Sequence, residues 1–218
     1  MSPIKLQVLK SHDYKRLPVE KGYTGQTLYV NVSDSSVRVK QVSEEMKNLF
    51  VGGKGFDLFL MWNSIKPGIR WDDPDNEICI GSGPLGGTTI YPGAGKSIVT
   101  SISPLTHSVM DSNVGGYFGP YLKFSGFDAM ELQGKAEQDV VIVIDGKTEK
   151  IEFYSVIDAP REANDLSTLL TQRFSRGRMR DVSVVTSGTA ARHSYMGCLN
   201  FSWYDPKRKS VRYKQAGR

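Results

Sequence analysis

Cysteine is scarce in this 218-residue chain: only Cys79 and Cys198 are present. Two are too few for a disulfide framework or a four-cysteine cluster. Cys79 sits in the apolar run Ile78-Cys79-Ile80 and reads as a small core residue. Histidine is almost as rare. His12, His107 and His193 stand alone, without a second ligand at metal-binding spacing. No run approaches the ~18 apolar residues that a membrane helix needs. The opening Met1-Ser-Pro-Ile-Lys-Leu-Gln7 has no apolar core followed by a cleavage site, which argues against export. These absences fit a reducing cytoplasm. No fixed-period repeat or low-complexity segment occurs, and Ser97, Ser103 and Ser187 have no identifiable base nearby, so nucleophilic catalysis has no support.

What is present suits a globular protein, with 39% hydrophobic and 23% charged residues. Charge is unevenly placed. Residues 161–218 carry 12 Lys and Arg against 4 Asp and Glu, whereas the preceding 160 carry 16 against 19. A basic C-terminal third points to a phosphorylated cofactor, nucleic acid or an acidic protein surface, or to a solvated basic face. No helix-turn-helix, RNA-binding sheet signature or zinc finger supports nucleic acid.

Residues 1–22 read as an extended lead-in. Gln26–Val32 and Ser36–Val42 alternate apolar and polar positions around Ser33-Asp34-Ser35, predicting a β-hairpin. Ser43 is suited to cap a helix with Glu44 and Glu45 in its first turn. The helix breaks at Gly52-Gly53-Lys54-Gly55, resumes from Phe56 to Ile65 and ends at Pro67-Gly68. Strands are expected at 77–81, 97–102, 129–132, 140–145, 150–156, 182–186 and 211–214, and a helix at 162–174. Strand-rich segments with few helices indicate an α+β fold.

Two phosphate motifs are decoys. Gly81-Ser-Gly83-Pro-Leu-Gly86 matches G-x-G-x-x-G, but Gly87-Thr-Thr-Ile-Tyr-Pro92 cannot open the required helix. Gly95-Lys96-Ser97 lacks the upstream P-loop glycine, since Ile90 stands there. What remains is a backbone-rich loop with a cation, Lys96. Ser103–Asp128 joins Gly115, Gly116 and Gly119 to several aromatics. It reads equally as a ligand loop, with backbone amides facing an anion, or as a tight connection.

Taken together, these fragments resemble the N-terminal domain of the aldehyde ferredoxin oxidoreductase family of tungsten enzymes. The resemblance runs over residues 22–218 and leaves 1–21 as an extension. It rests on Gly22–Val32, Phe50–Phe56, Gly81–Thr88, Val99–Thr106, Asp111–Gly119, Leu122–Ala129, Glu131–Glu137 and Ala216–Arg218. It implies two similar mixed α/β-sheet halves forming a saddle-like base for a tungsten (or molybdenum) bis-pterin, with Mg²⁺ bridging two phosphates. By resemblance, Lys96, Asn113, Gly115, Lys214, Gln215, Gly217 and Arg218 contact the cofactor. The backbone carbonyls of Asn113 and Gln215 would meet the magnesium.

The chain departs from the family at several points. Lys96 and Lys214 stand where relatives usually carry Arg, keeping charge but losing the planar fork. Ser187–His193 diverges, and no function is carried onto it. Neither cysteine matches a [4Fe-4S] ligand. The resemblance therefore implies that the cluster, the substrate channel and the catalytic acid or base belong to a second chain or absent domains, with ferredoxin or another electron-transfer subunit beyond. The alternative is a scaffold subunit that keeps the fold without the cofactor.

Overall fold

A computed structural model describes residues 4–195 and 199–216. In chain order the elements are β1 (Lys5–Asp13), β2 (Gln26–Asn31), β3 (Ser36–Gln41), α1 (Glu44–Leu49) and α2 (Lys54–Ser64). β4 (Glu77–Gly81), β5 (Ser97–Ile102), β6 (Val109–Val114), α3 (Phe118–Phe124) and β7 (Ala129–Gln133) follow. The chain continues through β8 (Val140–Asp145), β9 (Lys150–Ile157), α4 (Ala163–Phe174), β10 (Val185–Thr186), β11 (Leu199–Asp205) and β12 (Ser210–Ala216).

The fold is mixed α/β. A six-stranded sheet runs β3-β2-β7-β4-β5-β6, and two three-stranded sheets run β1-β9-β8 and β10-β11-β12. Within the large sheet β2 and β7 are parallel, and the other pairs are antiparallel. The alternating segments form the β2–β3 hairpin in the expected register, Gln26 opposite Gln41. Ser43 caps α1, accepting a hydrogen bond from the Met46 amide at 3.1 Å.

Four expectations need correction. The lead-in contains a strand, β1, which pairs with β9 from Lys5 opposite Ile157 to Asp13 opposite Lys150. β6 and α3 replace the irregular run read between Ser103 and Asp128. β11 was not anticipated, and the strand expected from Val182 narrows to Val185–Thr186 behind a 3₁₀ turn at Met179–Asp181.

The two faces of the large sheet differ chemically. One carries Leu28, Val30, Ile80, Val99, Val114 and Met130, which pack with Phe127, Phe153 and Phe201 into one core. Full burial of such side chains stabilises by about 1.5–3 kcal/mol each. The other face lies under α2 and is polar along a row that crosses all six strands. Arg38, Tyr29, Glu131, Cys79, Thr100 and Asp111 are successive cross-strand partners. Helix α2 answers this row with its own polar groups: Ser64 reaches Glu131 at 3.4 Å, Thr100 donates to Asp57 at 3.0 Å, and Lys54 lies 2.6 Å from Asp111. Gly52, at φ 136°, lets the turn before α2 approach Gly83, where a Cβ would lie 3.2 Å from the Gly83 Cα.

Candidate functional site

β6 is an edge of the large sheet and β12 an edge of the C-terminal one. In an edge strand, alternate backbone carbonyls and amides face away from the neighbour and need other partners. The two edges approach each other at Gly115, where a Cβ would sit 3.6 Å from Lys214 Cδ. Gly116 adopts φ 118°, and a Cβ there would lie 3.7 Å from the Phe201 carbonyl of β11. A φ of this sign favours glycine.

The β5–β6 register brings the other sequence-derived residues to the same end. Ile98 faces Asn113 and Ser97 faces Val114, so Lys96 and Gly115 flank one end of the hairpin. The chain before β5 folds close: a Cβ on Gly95 would lie 2.9 Å from the Gly116 carbonyl. Lys96, Asn113, Lys214 and Gln215 are exposed. Among the described residues neither Lys96 nor Lys214 is in an ion pair. The structure thus brings Lys96, Asn113, Gly115 and Lys214 into one neighbourhood. Gln215 follows on β12, paired with Asn200. Gly217, Arg218 and Cys198 lie outside the described residues.

Sequence reading missed the Lys54–Asp111 ion pair of 2.6 Å. Asp111 shares a face of β6 with Asn113, two residues away, so the pair ties the start of α2 to the strand bearing Asn113. The available signal was Lys54 within its glycine run, but its partner required the tertiary pairing.

Between α2 and the large sheet lie buried acids of a different kind. Glu131 is fully buried and held by Lys40 at 2.8 and 2.9 Å. Burial, aided by the neighbouring Glu131 carboxylate, pushes the Glu77 carboxyl up to about 7. Burial also pushes Asp57 well above the usual carboxylate range. Cys79 lies 3.9 Å from Glu77, and its thiol is raised by burial and then by the surrounding carboxylates. No group of three or more His, Cys, Asp or Glu side chains able to hold a metal occurs among the described residues. The rim, by contrast, offers two unpaired ammonium groups and two backbone edges. That donor set suits an anion together with a hard cation.

The family model for the aldehyde ferredoxin oxidoreductase, N-terminal domain, matches residues 27–218. The chain belongs to the aldehyde ferredoxin oxidoreductase family. Among curated relatives, the tungsten-containing aldehyde ferredoxin oxidoreductase of Pyrococcus furiosus is 38% identical over 132 residues, covering 61% of this chain and 21% of the relative. The Pyrococcus horikoshii enzyme of the same name is 37% identical over 136 residues, covering 62% and 22%. The aliphatic sulfonate oxidoreductase, WOR-like subunit, of P. furiosus is 33% identical over 134 residues, covering 59% and 21%. Among solved structures, the active site complex BamBC of benzoyl coenzyme A reductase superposes with a TM-score of 0.70 at 21% identity, over 90% of this chain and 28% of that one. That likeness establishes the fold. The matched part spans about a fifth of the length of these curated relatives. The family is one of oxidoreductases, and no helix among the described residues is long and apolar enough to cross a membrane.

Proposed function

We propose that this chain forms one wall of a tungsten bis-pterin site in an aldehyde ferredoxin oxidoreductase-like enzyme. The carrying observation is the meeting of two sheet edges, β6 and β12, at Gly115 and Lys214. The close approaches at Gly95 and Gly116 gather the loop before β5, the end of β6 and β11, and beside them Gly115, the exposed Lys96 and the exposed Lys214 present main chain and cations together. The residues present therefore fit a large ligand bearing phosphates.

In this reading Lys96 and Lys214 offset phosphate charge, joined by Arg218 from beyond the described segment. Gly115 and Gly217 admit the ligand close to the main chain. The carbonyls of Asn113 and Gln215 hold a magnesium ion, as backbone oxygens suit a hard cation. The sheets form the saddle-like base, with residues 1–21 an extension of that domain. When bound, the metal centre would supply two-electron redox chemistry for aldehyde and carboxylic acid interconversion. This chain binds and orients. The [4Fe-4S] cluster, the substrate channel and the proton-transferring group come from a partner chain or further domains, with ferredoxin or a comparable subunit as acceptor. The isolated chain would then be inactive.

Lysine in place of arginine at 96 and 214 favours a second reading, a scaffold subunit that keeps the fold without the cofactor. Native mass spectrometry with elemental analysis of the protein from its own source, grown anaerobically with tungstate and molybdate, separates the two. A companion chain with about one tungsten or molybdenum per heteromer supports the cofactor site. A stable but metal-free complex overturns it.

A further inference from the structure

The opposite edge of the large sheet is also open. β3 pairs only with β2, and no backbone hydrogen bond reaches its outer side among the described residues. β1 covers only the turn before it, through Lys10 to the Asp34 carbonyl at 3.3 Å and His12 to the Ser35 carbonyl at 2.9 Å. Beside this edge runs a groove of about 450 Å³ whose lining includes His12, Tyr14, Leu17, Gln26, Val37 and Val39. Val37 and Val39 share the face of Val30 and Leu28, their β2 partners. Gln26 is 8% exposed, lines the groove, and its carboxamide oxygen has no hydrogen-bond partner. A buried amide oxygen without a donor is costly, so this end of the groove favours a hydrogen-bond donor.

We propose that β3 is a docking edge for an extended peptide segment of a partner polypeptide, added as a seventh strand. Only a main chain presents donors and acceptors at the spacing of a strand edge. Its alternate side chains are specified by the two faces of β3. Those on the groove side meet Val37 and Val39, so they are apolar. Those on the other side meet Arg38, which is exposed with its cation 5.0 Å from the Tyr29 ring centroid, so they are acidic; the neighbouring Lys40 is engaged by Glu131. The favoured partner alternates β-branched and acidic residues. This surface is separate from the β6–β12 site, and the proposal does not depend on the cofactor.

The test titrates the isotope-labelled full chain with the blocked pentapeptide acetyl-Val-Glu-Val-Asp-Val-amide, followed by NMR. Expected are saturable shifts confined to β3 and residues 12–17, with slowed hydrogen exchange at alternate β3 amides. Replacing both acids by lysine should weaken binding by about tenfold or more. Arg38→Glu, at an exposed position, should reverse that preference. N-methylation of the probe's alternate amides should abolish binding. Absence of saturable shifts at millimolar peptide, shifts centred elsewhere, or undiminished binding of the N-methylated probe would each overturn strand addition.

Discussion

A methyl group built on Gly115 would lie 3.6 Å from the Cδ of Lys214, ordinary van der Waals contact between the residue that follows β6 and a strand of the C-terminal sheet. By contrast, a methyl on Gly119 in α3 would lie 2.5 Å from the hydroxyl of Ser97, which is 2% exposed and cannot retreat. Gly115→Ala should therefore leave the urea midpoint almost unchanged, and Gly119→Ala should destabilise by about 1–3 kcal/mol through overpacking. Equal midpoints for the two variants would refute this placement of α3 against β5.

Glu77 gives the fold an unusual pH response. Its carboxyl is raised from 4.5 to about 7 by burial and by Glu131, with Lys40, Ser64 and Cys79 as its other neighbours. The folded state thus holds a proton that the unfolded chain has released. Its contribution is full below pH 4.5 and is lost as pH rises to 7, amounting to roughly 3 kcal/mol. Asp57 is shifted in the same sense, so the slope belonging to Glu77 is read as a difference. Between pH 4.5 and 7 the wild-type stability should fall more steeply than that of Glu77→Gln, measured by denaturant unfolding. Parallel curves would show that Glu77 does not titrate in this way.

Lys123 and Asp128 form a buried ion pair of 3.0 Å, with side chains 5% and 1% exposed. Asp128 also accepts the amides of Thr24 and Gly25, and Lys123 donates to the Gly22 carbonyl at 2.7 Å. Lys123→Met leaves a buried charge unpaired and should cost about 3–5 kcal/mol. Adding Asp128→Asn should cost less than the sum of the single changes, because the second removes the orphaned charge. Additive free energies in the double-mutant cycle would argue against a direct pair.

Lys96 and Lys214 are exposed and outside the ion pairs among the described residues, so neither should matter much to folding. Lys96→Met and Lys214→Met are expected to shift stability by less than about 0.5 kcal/mol. Each should weaken binding of inorganic pyrophosphate, read by ³¹P NMR titration, by several-fold and reduce its salt dependence. Unaltered pyrophosphate affinity in both variants would count against the phosphate-facing role.

Legibility in the sequence followed burial. The β2–β3 hairpin was readable because one face is apolar and the other polar, and alternation records that directly. Ser43 announced α1 because capping is a local interaction. β6, Val109-Met-Asp-Ser-Asn-Val114, carries no alternation because it is an edge with a partly exposed surface. α3 was hidden by Gly119 and Pro120, which its first turn tolerates because the amides there have no helical partner anyway. β11 escaped because Asn200 and Ser202, polar in sequence, are buried. β1 was read as lead-in because most of its residues are exposed and its hydrogen bonds lie with β9, more than 130 residues away.

Local chemistry and motif order carried the family and the strand-rich character, and they suggested the residues proposed to meet a cofactor. It took the folded chain to bring Lys96 and Lys214 into one neighbourhood, to engage Lys54 with Asp111, and to lay a polar row across the sheet beneath α2 beside the apolar cluster of Phe56, Leu60 and Ala129. Those facts depend on strand order and register, which long-range hydrogen bonding and packing select and which no short window of sequence contains.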